Sequence, residues 1–442
     1  MTLTKPDLTT SLTGKWKSYP AYKDSGVEWL GEIPEHWEVK RLQFDCKINP
    51  KGDSLNLPGE MEVSFLPMEC IGEDGRLSLE KTRTIEQVRQ GYTYFQNEDV
   101  ILAKITPCFE NGKGALCQGL LNGIGFGTTE LHILRANEET YPKFIFYLTK
   151  SDPFQKIGAA MMYGAAGQKR LPEEFIRDFP VSTPTLLEQQ AIATFLDREI
   201  AKINTLIVKK ERLIELLQEK RAALISQAVT KGLDPTVAMK DSGVEWLGEM
   251  PVHWEVKRLK FVANFWGGGT PSKENLDYWS GDIPWISPKD MKAEIVYDAE
   301  DHITEYAIEH SATRLIQPGA VLIVVRSGIL RHSIPVAINA RPVTLNQDMK
   351  ALITEPFLRA EYLASLIRGH AHALLVEWRK EGATVESIEF ELLANTPCPI
   401  PPLPEQQAIV TFIDHEMAKI DALISRIREG VEKLKGNCSD LT

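Results

Sequence analysis

The stretch YKDSGVEWLGEIPEHWEVKRL at residues 22–42 decides the fold, because it returns almost unchanged as MKDSGVEWLGEMPVHWEVKRL at residues 239–259. Eighteen of the 21 positions are identical, at an offset of 217. A second pair has the same offset: EQQAIATFLDREIAKINTLI at 188–207 and EQQAIVTFIDHEMAKIDALI at 405–424, with 14 of 20 positions identical. Two such matches at one offset indicate that the chain is internally duplicated.

Between these matched blocks the two copies differ. The segment from Gln43 to about Ser182 shows little likeness to the segment from Lys260 to about Ile400, although their lengths are nearly equal. We interpret each copy as a constant leading block, a variable domain and a constant helix. A recent duplication with drift in one half is the alternative, but drift would erode the constant blocks as well as the variable domain.

The second constant block of each copy predicts a long helix. Thr185 and Glu188 have the spacing of a capping box, and Gly232 supplies a stop, so we predict a first helix over about 188–230 with a length of roughly 60 Å. The second helix is expected to end soon after Leu434. Its apolar residues are spaced mainly by alternating steps of four and three, as in a coiled-coil seam: Ile409, Ile413, Met417, Ile420, Ile424, Ile427, Val431 and Leu434.

Two helices with similar seams in one chain are expected to pack antiparallel on each other, with pseudo-twofold symmetry. The alternative is that each helix covers only its own domain. The variable domains mix strands and helices, and we therefore predict an α+β fold. The predicted strands are 62–66, 99–104, 130–134 and 320–325, and the predicted helices are 141–149 and 359–367.

The composition restricts the possible functions. The 442 residues carry a formal net charge of −11, which argues against binding nucleic acid by bulk electrostatics. No apolar run is long enough for a membrane span, and the N-terminus lacks the apolar core of a signal peptide. The six scattered cysteines form no CxxC pair, so we expect neither zinc nor disulfides, and a cytoplasmic location.

No catalytic motif is present in the sequence. HExxH and GxSxG are absent, and His36 and His253 recur beside Trp37 and Trp254, which favours a structural role over a ligand role. The Gly-rich loops lack the phosphate-binding motifs of nucleotide sites. Loops of Gly, Ser, Thr, Asn and Lys suit DNA, because they hold phosphates and reach base edges, although most such loops are ordinary turns.

At this point the chain resembles a known family, the specificity subunits of type I restriction–modification systems. The likeness is carried by residues 26–37 and their copy at 243–254, and by PPLPEQQ at 401–407, where the first copy departs and reads PTLLEQQ at 184–190. In the variable domains, residues 99–113 are similar to one target-recognition motif. A second such motif is matched by GGGTPS at 267–272, Tyr278-Trp279 and residues 281–291.

The resemblance implies a non-catalytic protein in which each target-recognition domain reads one half of a bipartite, asymmetric site in double-stranded DNA. The helix pair would act as a ruler for the spacer and dock two adenine methyltransferase subunits. Those subunits would bring S-adenosylmethionine, and motor-nuclease subunits would use ATP and Mg²⁺, so this chain is expected to hold no cofactor or metal. A protein–protein adaptor with two divergent domains is the alternative, and an enzyme with an unrecognised site is the least favoured.

The same resemblance divides the chain into an N-terminal arm (1–21), a first target-recognition domain with its leading block (22–187), a central helix (188–231), a second such domain (232–404) and a C-terminal helix (405–442). The expected DNA contacts of the first domain are Lys104, Thr106, Asn111, Lys113, Thr128, Gln168, Lys169 and Arg170. Those of the second are Thr270, Ser272, Lys273, Tyr278, Ser287, Lys289, Arg326, Arg331, Asn346 and Gln347. Arg326 and Arg331 follow a predicted strand, where a solvated turn is the alternative.

Overall fold

The computed structural model describes residues 18–51, 57–164, 168–380 and 384–441, the last five by their backbone. Most of the expected N-terminal arm lies outside these residues. The chain forms two compact units, one of residues 1–209 with 430–442 and the other of residues 210–429. Each unit therefore holds one leading block, one variable domain and parts of the long helices.

The first unit is a mixed α/β domain with two four-stranded sheets, β6-β5-β10-β7 and β4-β11-β8-β9. Its strands are β1 Tyr22–Asp24, β2 Glu32–Pro34, β3 Glu38–Arg41, β4 Cys46–Ile48, β5 Glu62–Leu66, β6 Thr82–Thr84, β7 Thr93–Gln96, β8 Asp99–Ala103, β9 Gly114–Leu116, β10 Ile124–Gly127, β11 Leu131–Ala136 and β12 Pro180–Thr183. Its shorter helices are α1 Ile85–Val88, α2 Pro142–Lys150, α3 Asp152–Met161 and α4 Glu173–Asp178.

The second unit has a five-stranded sheet, β16-β23-β20-β21-β18, and a three-stranded sheet, β19-β17-β22. Its strands are β13 Met239–Asp241, β14 Glu249–Pro251, β15 Glu255–Arg258, β16 Ala263–Gly267, β17 Ile283–Ile286, β18 Ile295–Val296, β19 His302–Ile303, β20 Val321–Val324, β21 Val336–Asn339, β22 Thr344–Leu345, β23 Met349–Thr354 and β24 Pro397–Ile400. Its shorter helices are α6 Glu305–Glu309, α7 Ala360–Gly369, α8 Ala371–Trp378 and α9 Phe390–Asn395.

The two variable domains share the central part of their topology despite their different sequences. In each, a fully buried strand (β8 or β20) pairs antiparallel with the strand that leads towards the next helix (β11 or β23). In each, a parallel pair forms beside that sheet, β5 with β10 and β17 with β22. All four strands and both helices predicted for the variable domains are present, with ends displaced by at most two residues.

The long helices are α5, Leu186–Lys231, and α10, Leu403–Leu441. The prediction that the second helix ends soon after Leu434 is wrong, because neither proline nor a left-handed glycine interrupts the residues that follow; Gly436 continues the helix. The second helix is still the shorter, with 39 residues against 46.

The parts of both helices that lie in the second unit pack antiparallel. The hydroxyl oxygen of Tyr362 lies 3.0 Å from the carbonyl oxygen of Val229 and 3.2 Å from that of Pro399, and its single hydrogen can be shared between them. The end of α5 therefore lies near the start of α10. Further back along α5, Arg221 donates to Asp421, well inside α10 (2.7 Å). The helices share one apolar core, because seam residues of α10 and α5 bury together there.

The start of each long helix is fastened to its leading block. In the first unit, Glu188 lies 2.9 Å from Nε2 of His36 and accepts a bond from Nε1 of Trp37 (3.4 Å), while Thr185 caps the helix. In the second unit, Glu405 makes the same two contacts with His253 (2.8 Å) and Trp254 (2.9 Å). The recurring histidines thus have the structural role that their repetition indicated.

The next residue of each helix fastens it to the variable domain. Gln406 is fully buried, accepts from the backbone N–H of Arg359 at the start of α7 (2.8 Å), and donates to the carbonyls of Phe357 (2.9 Å) and Pro401 (2.8 Å). The buried Gln189 makes the corresponding bonds in the first unit. The constant Glu-Gln pair therefore joins leading block, helix and variable domain in each unit.

Candidate nucleic-acid interface

At the end of the buried strand β8 in the first variable domain, backbone hydrogen bonds join three loops, at residues 104–106, 128–130 and 169–171. We call this arrangement the loop frame. The backbone N–H of Lys104 donates to the carbonyl of Glu130 (3.0 Å), and that of Leu171 donates to Lys104 (2.7 Å). The N–H of Thr106 donates to Lys169 (3.0 Å). Three loops from distant parts of the sequence are thereby held side by side.

The second variable domain builds the same loop frame from other residues. The N–H of Val325 donates to Asp348 (2.8 Å), and that of Ile388 donates to Val325 (2.8 Å). The N–H of Ser327 donates to Glu386 (3.0 Å). Bond for bond, this is the arrangement of the first domain.

The matching bonds define which residues of the two domains correspond. Isolated bridges extend the match, because Ile105 pairs with Arg170 and Arg326 pairs with Ser387. Corresponding pairs are separated by 217, 218 or 221 positions, so a single offset does not find them. The pairs are Lys104 with Val325, Ile105 with Arg326, Thr106 with Ser327, Thr128 with Asn346, Glu130 with Asp348, Lys169 with Glu386, Arg170 with Ser387 and Leu171 with Ile388.

In the first domain the frame carries an arginine held by a carboxylate. Arg170 donates to Glu130 through Nε (2.9 Å) and Nη2 (2.8 Å), and this hydrogen-bonded guanidinium lowers the pKa of Glu130. The hydroxyls of Thr106 and Thr128 accept backbone N–H bonds of Lys169 (3.0 Å) and Glu130 (3.2 Å). The structure thus brings together Lys104, Thr106, Thr128, Lys169 and Arg170, with Gln168 next in the chain.

The second domain also holds an arginine, from the other side of the frame. Arg326 donates to Asp348 through Nε (2.5 Å). Asn346 is buried, accepts from the N–H of Asp348 (3.0 Å) and donates to its carboxylate (3.3 Å). Beside them the Thr270 hydroxyl donates to the side-chain oxygen of Gln347. Four expected contacts, Thr270, Arg326, Asn346 and Gln347, therefore meet here.

The glycines at 267–269 allow a close approach of two loops. A Cβ at Gly268 would lie 1.9 Å from the carbonyl oxygen of Asn346, and the N–H of Gly269 donates to Leu345 (2.8 Å). The carbonyl of Gly269 in turn accepts from Nε1 of the buried Trp285 (2.9 Å). This loop needs glycine because another backbone lies against it.

Two expected contacts of the first domain lie in a different cluster. Asn111 donates to the Glu73 carboxylate (3.0 Å) and Lys113 donates to the carbonyl of Met68 (3.2 Å). Lys150 donates to the backbone carbonyls of Glu73 (2.9 Å) and Gly112 (2.5 Å), and burial lowers its pKa to about 8. These side chains tie the loop after the cis Thr106-Pro107 peptide to its neighbours.

Other expected contacts of the second domain are spread over its surface loops. Ser287 is buried and forms a capping box with Asp290. Hydrogen bonds to Asp301 and Glu300 raise the pKa of Lys289. The hydroxyl of Ser272 accepts a bond from the N–H of Glu274, and its carbonyl accepts one from Nε1 of Trp279. Tyr278 packs near Tyr306, and Lys273 is exposed. Arg331 lies 3.6 Å from Glu386.

Sequence reasoning missed the acidic members of the frame, Glu130, Asp348 and Glu386. A carboxylate directly before a buried strand, as at Glu130 and Asp348, was the available signal. In the described parts of the chain, no cluster of His, Cys, Asp or Glu is suited to a metal ion. Among the helices described, none is long and apolar enough to cross a bilayer.

Comparison with known proteins agrees with this architecture. The model of the type I restriction modification DNA specificity domain matches twice, at residues 34–216 and 251–433, and the chain belongs to this family. A similar relative is the EcoR124I/EcoR124II specificity subunit of Escherichia coli, 39% identical over a segment that covers 45% of this chain and 46% of that one. The chain thus spans less than half the length of this relative, and 30% of two further specificity subunits from the same organism.

Two solved structures share the fold over nearly the whole chain. One, from work on complex assembly and conformational transition of the type I R-M system, has a TM-score of 0.68 and 20% identity over 92% of this chain and 97% of that one. The other is the HsdS subunit from Thermoanaerobacter tengcongensis, with a TM-score of 0.62 and 18% identity over 92% and 96%. Both likenesses concern the fold.

Proposed function

We propose that the chain is the specificity subunit of a type I restriction–modification complex. Each variable domain reads one half of a bipartite, asymmetric site in double-stranded DNA, and the long helices set the spacer between the halves. The observation that carries this proposal is the repeated loop frame, which displays unlike polar side chains on like backbones. Two different readers held in equivalent frames suit two different half-sites.

The local charge at each frame supports DNA as the ligand. In the first domain Arg170 and Lys104 lie close enough to Glu130 to lower its pKa. In the second, Arg326 pairs with Asp348, and Arg331 and Arg379 pair with Glu386. Cations exceed anions at both places, although the whole chain is acidic. Phosphate attraction is thus concentrated at the loops that carry the readers.

A surface that is repeated on the two long helices favours a partner of which two copies bind. One largely exposed face of α5 matches the same face of α10 at seven of ten positions. The six seam positions 192, 193, 196, 200, 203 and 207, whose copies are buried on α10, match at three. Packing does not explain a surface that is repeated better than the core. The face, which we call the outer face, consists of Gln190, Ala191, Thr194, Phe195, Arg198, Ala201, Lys202, Thr205, Leu206 and Lys209, with copies 217 positions later.

Two equivalent outer faces suit two copies of one partner, and we assign them to two adenine methyltransferase subunits. Those subunits supply S-adenosylmethionine and flip the target adenine out of the duplex, so this chain contributes recognition and no catalytic group. Motor-nuclease subunits, with ATP and Mg²⁺, complete the restriction complex.

Co-expression with the methyltransferase subunit in a host without its own adenine methylation tests the proposal. Mapping of N6-methyladenine should show one motif with two unlike halves and a fixed spacer. The purified complex should also bind that duplex with an affinity that falls steeply with salt. Absent methylation together with binding that ignores sequence would instead favour a protein–protein adaptor.

A further inference from the structure

Both loop frames keep a carboxylate at the same position and hold an arginine on it, but the arginine comes from a different loop of the frame in each domain. Glu130 and Asp348 correspond in the backbone bonds of the frame. Arg170 stands where the second domain has Ser387, and Arg326 stands where the first has Ile105. The pairing is therefore repeated in a sequence that has otherwise diverged, whereas the place of the arginine has changed.

We infer that Arg170 and Arg326 are base-reading residues and that each recognises a guanine in its own half-site. This inference rests on the proposed function. It goes further by separating these two arginines from the side chains that contact phosphates, and by naming the base that each one reads.

The geometry leaves the reading edge of each guanidinium available. Arg326 uses only Nε on Asp348, and Arg170 uses Nε and one hydrogen of Nη2 on Glu130. Nη1 and an Nη2 hydrogen remain, and these two donors match the O6 and N7 acceptors of guanine in the major groove. The arginine side chains are 48% and 52% exposed, and their carboxylates only 24% and 22%, so each acid lies beneath its arginine.

The carboxylate argues against a phosphate contact. An acid at hydrogen-bond distance offsets the charge of the guanidinium and repels a phosphate, while it fixes the plane of the fork. A fixed, nearly neutral fork suits a base edge, whose acceptors carry no net charge. Lys169 and Arg331 differ from this pattern. Among the described residues no carboxylate forms an ion pair with Lys169, and Arg331 lies 3.6 Å from Glu386, further than Arg170 (2.8 Å) or Arg326 (2.5 Å) lies from its acid.

Because the arginine comes from a different loop in each domain, the two domains are expected to recognise different base sequences. Because the arginines leave the frame from opposite sides, they meet different positions of their half-sites even though the backbones correspond. The neighbouring polar groups differ as well, with Gln347 and Thr270 near Arg326, and Thr106 near Arg170.

The test uses the full complex with its methyltransferase subunits and maps N6-methyladenine in the host genome. The wild type should show a guanine–cytosine pair at a fixed position in each half. Arg326→Lys keeps the charge but loses the fork, so preference for guanine at one position should fall by about 5- to 150-fold. The other half, read by the first domain, should stay unchanged, and Arg170→Lys should give the reverse result.

Arg341→Lys is the matched control, since it makes the same change at an exposed arginine of the second domain that donates to the carbonyl of Asp282 and lies outside the loop frame, and it should leave the motif unchanged. A second measurement needs no variant: replacement of the read guanine by 7-deazaguanine removes N7 and should weaken binding of the wild-type complex at that position. An unchanged motif in Arg326→Lys, or no effect of 7-deazaguanine at any guanine, overturns the inference. A wild type that methylates no bipartite motif overturns the proposed function instead.

Discussion

The constant blocks and the variable domains of this chain are both repeated, but different features of them are kept. In the constant blocks, side chains and backbone both repeat, down to the Glu-Gln pair that opens each long helix. In the variable domains the backbone frame repeats while its side chains change. The difference indicates that the contacts joining helix, leading block and variable domain require particular side chains, whereas in the variable domains only the backbone bonds that hold the loops are kept.

The largest expected effect concerns the contacts by which Glu405 and Gln406 join the helix α10 to the leading block and the variable domain of the second unit. Gln406→Leu leaves a backbone N–H and two carbonyls without their buried partner, and should lower the free energy of unfolding by about 2–4 kcal/mol. Denaturant unfolding of the full chain measures it. Gln407→Leu, one residue further on and exposed, is the control and should stay close to wild type. If both changes lowered the free energy of unfolding equally, the buried hydrogen bonds of Gln406 would not stabilise the fold more than an exposed glutamine does.

The carboxylate of Glu188, at the start of α5, makes the stability of the first unit depend on pH. Burial raises the pKa of Glu188, but hydrogen bonds from His36, Thr185 and Trp37 outweigh it and bring the pKa to about 2. Because the folded pKa is depressed, the contribution is present above the unfolded value, about 4.5, and is lost as the pH falls towards 2. Glu188→Gln should therefore be less stable than wild type by about 2 kcal/mol at neutral pH.

Unfolding of wild type and Glu188→Gln between pH 7 and pH 2.5 measures this difference. The gap should be constant above about pH 5 and shrink below it. A gap that is the same at both ends of the range would show that Glu188 acts by packing and not by its charge.

The outer faces test whether the repeated surface binds one partner twice. Ala418→Arg places a long charged side chain in the face of α10 and should weaken methyltransferase binding at one site by about tenfold or more, without changing the thermal midpoint. Ala201→Arg does the same on α5, and the double variant should bind neither copy. Native mass spectrometry counts the bound subunits. Asn204→Arg, exposed on α5 but outside the face, is the control. If the double variant keeps both copies, the assignment of the outer faces is wrong.

The smallest expected effect is the stability change from the frame acid. Asp348→Asn loses the ion pair with Arg326, whose guanidinium is half exposed, and ion pairs open to solvent stabilise little, so the thermal midpoint should move by less than about 2 °C. The methylated motif, by contrast, should become less selective at one position. A large drop in the midpoint would show that the pair stabilises the loops and is not kept for recognition.

The sequence alone predicted the duplication, the long helices and the chosen strands, and also the antiparallel packing that the helix parts in the second unit show. Hydrophobic spacing and nearly identical repeats can be recognised without knowing which distant residues meet. Strand 62–66 was predicted with both ends correct. The loop frame could not be predicted, because residues 104, 130 and 171 meet only through backbone bonds between distant loops. The burial of Asn346 and Ser287 in hydrogen-bonded turns could not be predicted either, because it also depends on contacts between distant loops. Their contact with DNA stays a prediction.

The central claim is that two unlike readers on one repeated frame produce an asymmetric site. It is tested most directly by replacing residues 43–182 with a second copy of residues 260–400 and mapping N6-methyladenine in cells that also make the methyltransferase subunit. With two identical readers, the motif should become symmetric, each half matching the half that the second domain reads in the wild type. An asymmetric motif from this duplicated chain, or the unchanged wild-type motif, would contradict the account.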